Sequence, residues 1–350
     1  MDQYYWSKIP NYGDALNKWL WPRLFPGLLS QDDDLLLVGV GSLINKELSY
    51  ISGRKVIFGT GSGYGLLPSA RARKDWIIYF VRGPLTASYL GLDPDLGIVD
   101  SSWLINRLPE FSQPRPKRGT VFIPHWSNDA ASSWRRICQQ ADIRYISPLE
   151  DSVEVLHSLA SAELAIVESL HGAILADYFR TPWIPLQLSK DTLPFKWLDW
   201  CGSVGLEYRP YVLPLTDIYH HVANRNWPRL AKDHYHAVDG PWRSPGVDQS
   251  VVQRPPKSYV LRRTLRPAVN IAKRPFNALN DLARASRNVW PLSQWNSRQE
   301  EILTHLLRKI SRERSYLSSD SKRLDLIERI NSKADALIQD YPTIAGLSHL

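Results

Sequence analysis

Apolar positions fall into two sets of short runs separated by stretches with helical spacing. The first set comprises Leu35 to Val38, Lys55 to Phe58, Trp76 to Val81 and Gly97 to Val99, each of strand length. Ala15, Leu16, Trp19 and Leu20 share one helical face ahead of them, and Leu85 to Leu90 follows the third run as a second helical stretch. Pro114, Pro116 and three basic residues interrupt any period between Ser112 and Gly119, which predicts a linker.

The second set begins with Thr120 to Ile123. A helical stretch around Ser132 to Gln140 follows, then Ile143 to Ile146, a helix from about Val153 to Ala160, the run Leu164 to Val167, and a helix starting at about Ala173. Pro182 to Leu186 reads as one more short strand. Strands alternating with helices indicate βαβ units and a mainly parallel sheet, so the class is α/β. The expected division is a first unit over 1–112, a second over 119–215, and an aromatic and basic region with a helical extension over 216–350. Within the extension, Ile302, Leu303, Leu306, Leu307 and Ile310 form one stripe, and Leu324, Ile327, Ile330, Leu337 and Ile338 a less regular second, which suggests a helical hairpin.

Chemistry concentrates at the corners. In Leu164 to Arg180 the apolar run turns through Ser169, Leu170, His171 and Gly172, so that a histidine stands at the carboxyl end of a strand, where open α/β sheets bind ligands. Free N–H groups at the following helix start also favour an anion there. The competing account is a polar plug in a turn. Arg82-Gly83-Pro84 follows Trp76 to Val81 in the same way, with a surface salt bridge as the alternative role for Arg82. Asn11-Tyr12-Gly13-Asp14 precedes the first helical stretch, and Asp14 could act only as its cap. His125 occupies the equivalent corner after Thr120 to Ile123.

Together these elements resemble the polysaccharide pyruvyl transferase family. The likeness runs from about residue 4 to 190 through Asn11-Tyr12-Gly13-Asp14, Gly39-Val40-Gly41-Ser42, Arg82-Gly83-Pro84 and Ser169-Leu170-His171-Gly172. Several relatives carry an arginine where this chain has Ser169. The resemblance implies two Rossmann-like domains facing a cleft, the GT-B arrangement, and transfer of pyruvate from phosphoenolpyruvate to two hydroxyls of a sugar as a ketal. The sugar would belong to an exopolysaccharide or its lipid-linked precursor. For that reaction His171 would serve as general acid or, as imidazolium, hold the phosphate, two roles the sequence does not separate, with Asp14 as the base for a hydroxyl and Arg82 as a grip on phosphate or carboxylate. Asn11, Gly13, Ser42, Gly61, Ser62, His125, Ser169 and Gly172 would line the substrate site, with Gly39 to Ser42 and Gly59 to Gly63 letting backbone approach it. The alternative is a GT-B glycosyltransferase with a nucleotide-sugar donor, although neither glycine-rich corner has the Walker spacing or a full dinucleotide fingerprint.

Composition narrows the picture further. The 350 residues include 14 tryptophans and 43% apolar residues, as expected of a folded protein. Trp126, Trp183, Trp197 and Trp200 are candidates for stacking on a sugar. Cys138 and Cys201 stand apart, and the histidines at 220, 221, 234 and 236 lack zincin spacing, so no metal and no cofactor beyond the donor is expected. Asn11 comes so soon after Met1 that no signal peptide is expected, and no apolar run is long enough to span a bilayer, which points to the cytoplasm. The net charge of +8 belongs to one segment, Arg243 to Trp290, with ten basic residues against two acidic. Its mixture of basic and apolar side chains suits an anionic membrane surface, and equally a segment that packs on the protein with only its charges facing water. No nucleic-acid motif accompanies it.

Overall fold

The computed structural model describes residues 1–7, 10–30, 34–131, 133–188, 193–213 and 292–342. It is an α/β protein with two parallel sheets. The first contains β1 (Asp2–Tyr4), β2 (Leu35–Val38), β3 (Arg54–Phe58) and β4 (Ile77–Phe80) in sequential order. The second contains β5 (Thr120–Ile123), β6 (Arg144–Tyr145), β7 (Leu164–Val167), β8 (Trp183–Gln187) and β9 (Tyr211–Val212), in the order β6-β5-β7-β8-β9. All four residues of β2 are buried, which is why it reads as an unbroken apolar run rather than as an alternating one. Gly97 to Val99, expected as a strand, continues the β4 side only through a single bridge from Gly97 to Val81.

The helices are α1 (Tyr12–Leu24), α2 (Pro84–Tyr89), α3 (Pro109–Ser112), α4 (Trp134–Ala141), α5 (Ser152–Ala160), α6 (Leu170–Tyr178), α7 (Pro194–Val204), α8 (Leu292–Ile310) and α9 (Asp320–Asp340). A 3-10 stretch, Ser101–Arg107, packs on α6, with Trp103 Nε1 donating to the Ile174 carbonyl at 2.9 Å. Helix α1 joins the two units: Tyr12 N donates to the Pro148 carbonyl and Trp19 Nε1 to Ser152 Oγ at the start of α5. One apolar core therefore runs from Leu16 and Phe58 through Trp103 to Leu175 and Trp200. A core shared by both sheets holds the corners between them in fixed relation.

The expected C-terminal hairpin is not what forms. Helix α8 packs on α4, where Leu303, Leu307 and Ile310 are buried, while α9 returns to the first unit and packs on Ser101–Arg107 and β4. The buried positions of α9 are Leu326, Ile330, Ala334 and Leu337, spaced by four, four and three, and the expected Leu324 and Ile338 are exposed. Between the helices Tyr316 pairs with Trp183 through two backbone hydrogen bonds, and its ring stacks on the indole at 5.1 Å. The basic segment and the histidines at 220, 221, 234 and 236 lie outside the described residues. Among the described residues no helix is long and apolar enough to cross a membrane.

Candidate functional site

All pairs of the second sheet are parallel, and its strand order switches between β5 and β7, because β6 lies on one side of β5 and β7 on the other. Crevices at such switch points, beyond the carboxyl ends of the strands, take ligands in open α/β sheets. His125 follows β5 and Ser169 follows β7, so two of the expected residues flank that point. Helix α6 begins at Leu170, not at Ala173, which places His171 in its first turn. Ser169 does not cap it; the Ser169 hydroxyl instead shares a 2.8 Å hydrogen bond with the Tyr12 hydroxyl from α1.

That bond brings the start of α1 against His171. A Cβ on residue 13 would stand 2.1 Å from His171 Nδ1, so only glycine lets the backbone lie on the imidazole. Asn11 caps α1 by accepting from Asp14 N at 3.0 Å, and its amide donates to Asp14 Oδ2 at 2.6 Å. Gly41, at φ +123°, passes close to the other carboxylate oxygen; a Cβ there would be 3.0 Å from Asp14 Oδ1. Asn17, fully buried, ties this arrangement to the first sheet by donating to the Asp14 and Val40 carbonyls and accepting from Val40 N. Burial raises the Asp14 pKa, with Asp100 adding to the effect and His171, Asn11 and Lys196 opposing it.

Asp100 completes the cluster from the other side. Its Oδ1 accepts from Ser102 N, and its Oδ2 lies 3.8 Å from His171 Nε2. Both Asp100 Oδ2 and His171 Nε2 are buried and have no hydrogen-bond partner among the described residues. An imidazole between two carboxylates, one of them held reluctant to ionise, is equipped to move protons.

Arg82 has a different setting from the anion grip expected of it. Its guanidinium, with the side chain 1% exposed, donates from Nε to Asp199 Oδ2 at 3.0 Å, from Nη1 to Ser42 Oγ at 2.6 Å and from Nη2 to the Ser62 carbonyl at 2.7 Å. Gly61 is needed beneath it, since a Cβ there would meet the guanidinium carbon at 2.2 Å. Asp199 on α7 also accepts from Thr86 N and Thr86 Oγ1. Arg82 and Asp199 thus form a buried brace between the units, with Ser42, Gly61 and Ser62 of the first unit packed around the guanidinium. His125 lies just after β5: its backbone N–H donates to Glu168, its Nδ1 shares a 2.7 Å bond with Ser127 Oγ, and burial and then the Lys196 charge push its pKa down to about 3. Gly172 packs under Tyr12 and Val167.

The succinoglycan biosynthesis protein ExoV of Rhizobium meliloti (strain 1021) is 34% identical to this chain over 352 residues, a match that spans 97% of the chain and 100% of the relative. The chain belongs to the ExoV family. No family model and no solved structure matches it. For this ExoV relative, two residues of the site escaped the sequence reading. Asp100 could have been found, because it follows the apolar run Gly97 to Val99 as His171 follows Leu164 to Val167. Lys196 carried only the weak signal of Pro194, which opens α7. Of the four tryptophans considered for stacking, Trp183, Trp197 and Trp200 are fully buried, while Trp126 keeps some exposure and lies 5.2 Å from the His125 ring.

Proposed function

We propose that this chain acts in exopolysaccharide biosynthesis as a transferase that moves pyruvate from phosphoenolpyruvate onto a sugar as a ketal. The observation that carries the reading is the Asp14–His171–Asp100 cluster at the carboxyl end of β7, in a chain related over 97% of its length to a succinoglycan biosynthesis protein. Ketal formation makes two bonds from sugar oxygens to the central carbon of the donor. The methylene carbon gains one proton, the bond from the central carbon to the phosphate oxygen breaks, and the two hydroxyl protons released balance the proton on carbon and the proton on phosphate. Such a sequence needs a base for each hydroxyl in turn and an acid for carbon or phosphate. Asp14, raised by burial, suits the base, and His171, packed on Gly13 and facing Asp100, suits the acid. Two parallel sheets sharing a site between their corners are compatible with the GT-B arrangement. A lipid-linked acceptor would place the enzyme at the inner face of the plasma membrane, which the basic segment at 243–290 of the sequence would favour.

The test is an incubation of the full chain with phosphoenolpyruvate and a cell-envelope lipid extract containing exopolysaccharide precursor. Phosphate release and the appearance of a ketal methyl signal by NMR are expected together. Consumption of a nucleotide sugar with no use of phosphoenolpyruvate would instead establish a glycosyltransferase.

A further inference from the structure

The donor in that reading carries a carboxylate and a phosphate, and a desolvated anion requires a cation that is free to meet it. Among the described residues of the site, Arg82 and Lys196 are the permanent cations. Arg82 is sealed in its brace with Asp199, Ser42 and the Ser62 carbonyl. Lys196 is not. It sits in the first turn of α7, its stem passes the Gly63 corner, and Nζ donates to the Tyr64 hydroxyl at 2.9 Å while lying 4.4 Å from the centre of the Tyr64 ring. That uses one of three ammonium hydrogens, and no carboxylate among the described residues pairs with it.

The position is an unfavourable one for a lysine on structural grounds alone. The helix dipole disfavours a cation at this end, the first turn of α7 holds no acidic residue, and Leu193 offers no side-chain cap. The ammonium nonetheless stands where the units meet, with Tyr64 and Gly63 from the first and α7 from the second. Its charge acts on a residue of each unit, opposing the rise of the Asp14 pKa and adding to the fall of the His125 pKa. His125, neutral down to about pH 3, adds no charge of its own. The ammonium thus acts on Asp14 through space while no carboxylate among the described residues is in salt-bridge contact with it.

We propose that Lys196 is the residue that binds the anionic end of the substrate, a phosphate or carboxylate group, beside the Asp14–His171–Asp100 cluster. This rests on the pyruvyl-transfer reading only for the identity of the anion. The aromatic face and hydroxyl of Tyr64 hold the ammonium where the two units meet, so the lysine meets the ligand with little reordering.

The experiment is calorimetric titration of the full chain with inorganic phosphate, with phosphoenolpyruvate and with UDP, repeated on Lys196→Met and Lys196→Arg. Losing one charge-assisted contact should raise Kd for phosphate and phosphoenolpyruvate about ten- to a hundredfold in Lys196→Met, with most of the affinity kept in Lys196→Arg. In turnover, KM for phosphoenolpyruvate should rise more than kcat falls, which a purely structural role would not produce. Equal binding by the parent and Lys196→Met overturns the proposal, and so does a parent chain that binds none of the three. Binding of phosphate but not phosphoenolpyruvate, lost in Lys196→Met, upholds Lys196 as the anion contact while the pyruvyl-transfer reading falls. Near-ultraviolet circular dichroism identical to the parent shows that the variants are folded.

Discussion

Asp199→Ala tests the structural role of the Arg82 brace. The substitution removes the acceptor of three hydrogen bonds, from Arg82 Nε, Thr86 N and Thr86 Oγ1, at 3.0, 2.8 and 2.7 Å. It also leaves a guanidinium in a site from which solvent is excluded, with only Ser42 Oγ and the Ser62 carbonyl as neutral acceptors. Hydrogen bonds to a charged group contribute about 1.5–3 kcal/mol each, but Arg82 keeps two partners, so their sum is an overestimate. Breaking a buried pair by removing one partner costs about 3–5 kcal/mol, and that is the expected loss, read from urea unfolding followed by tryptophan fluorescence. Replacing both partners, as Arg82→Met with Asp199→Leu, should recover much of it, because the double change removes the unpaired charge as well as the pair. A loss below about 1 kcal/mol in Asp199→Ala, together with loss of phosphoenolpyruvate binding in Arg82→Met, would refute the reasoning and restore Arg82 as a ligand-binding cation.

Gly13→Ala should displace the His171 ring, since its Cβ would stand 2.1 Å from Nδ1; turnover is expected to fall severely, with a stability cost of about 1–3 kcal/mol by thermal melting. If Asp14 is the base, it works ionised, and its raised pKa places the acid limb of kcat/KM above the ordinary carboxylate range. Asp100→Asn removes a charge that raises Asp14, so the limb should move to lower pH; an upward shift would contradict the electrostatics. The same raised pKa means that the folded state holds its proton more tightly than the unfolded chain, so this group's contribution to stability falls as pH rises from the unfolded carboxylate pKa through the folded one. Cys138 and Cys201 are fully buried and their thiols are pushed up by burial, Cys138 to about 12, so neither should react with a thiol reagent at neutral pH until denaturant is added.

Much of the frame was legible because a strand covered on both faces must be apolar at every position, whatever it packs against. Leu35–Val38, Thr120–Ile123 and Leu164–Val167 could be read on that ground, and the corners that follow β4, β5 and β7 came with them. β1 and β9 were not legible. Three residues at one edge and two at the other form strands only because β2 and β8 offer backbone partners, and no local pattern records that. Gly172 was read as the turn before a helix, yet it is the third residue of α6, which puts His171 in the helix, and its small size fits the close approach of Tyr12 and Val167. The role of Arg82 shows the sharper limit. A guanidinium following a strand locates a cation in the sequence, but whether that cation can meet a ligand depends on Asp199, 117 residues further on and in the fourth helix of the other unit. The same reasoning makes Lys196 conspicuous only in three dimensions: its availability follows from which carboxylates fail to reach it, and the chain records that nowhere near Lys196 itself.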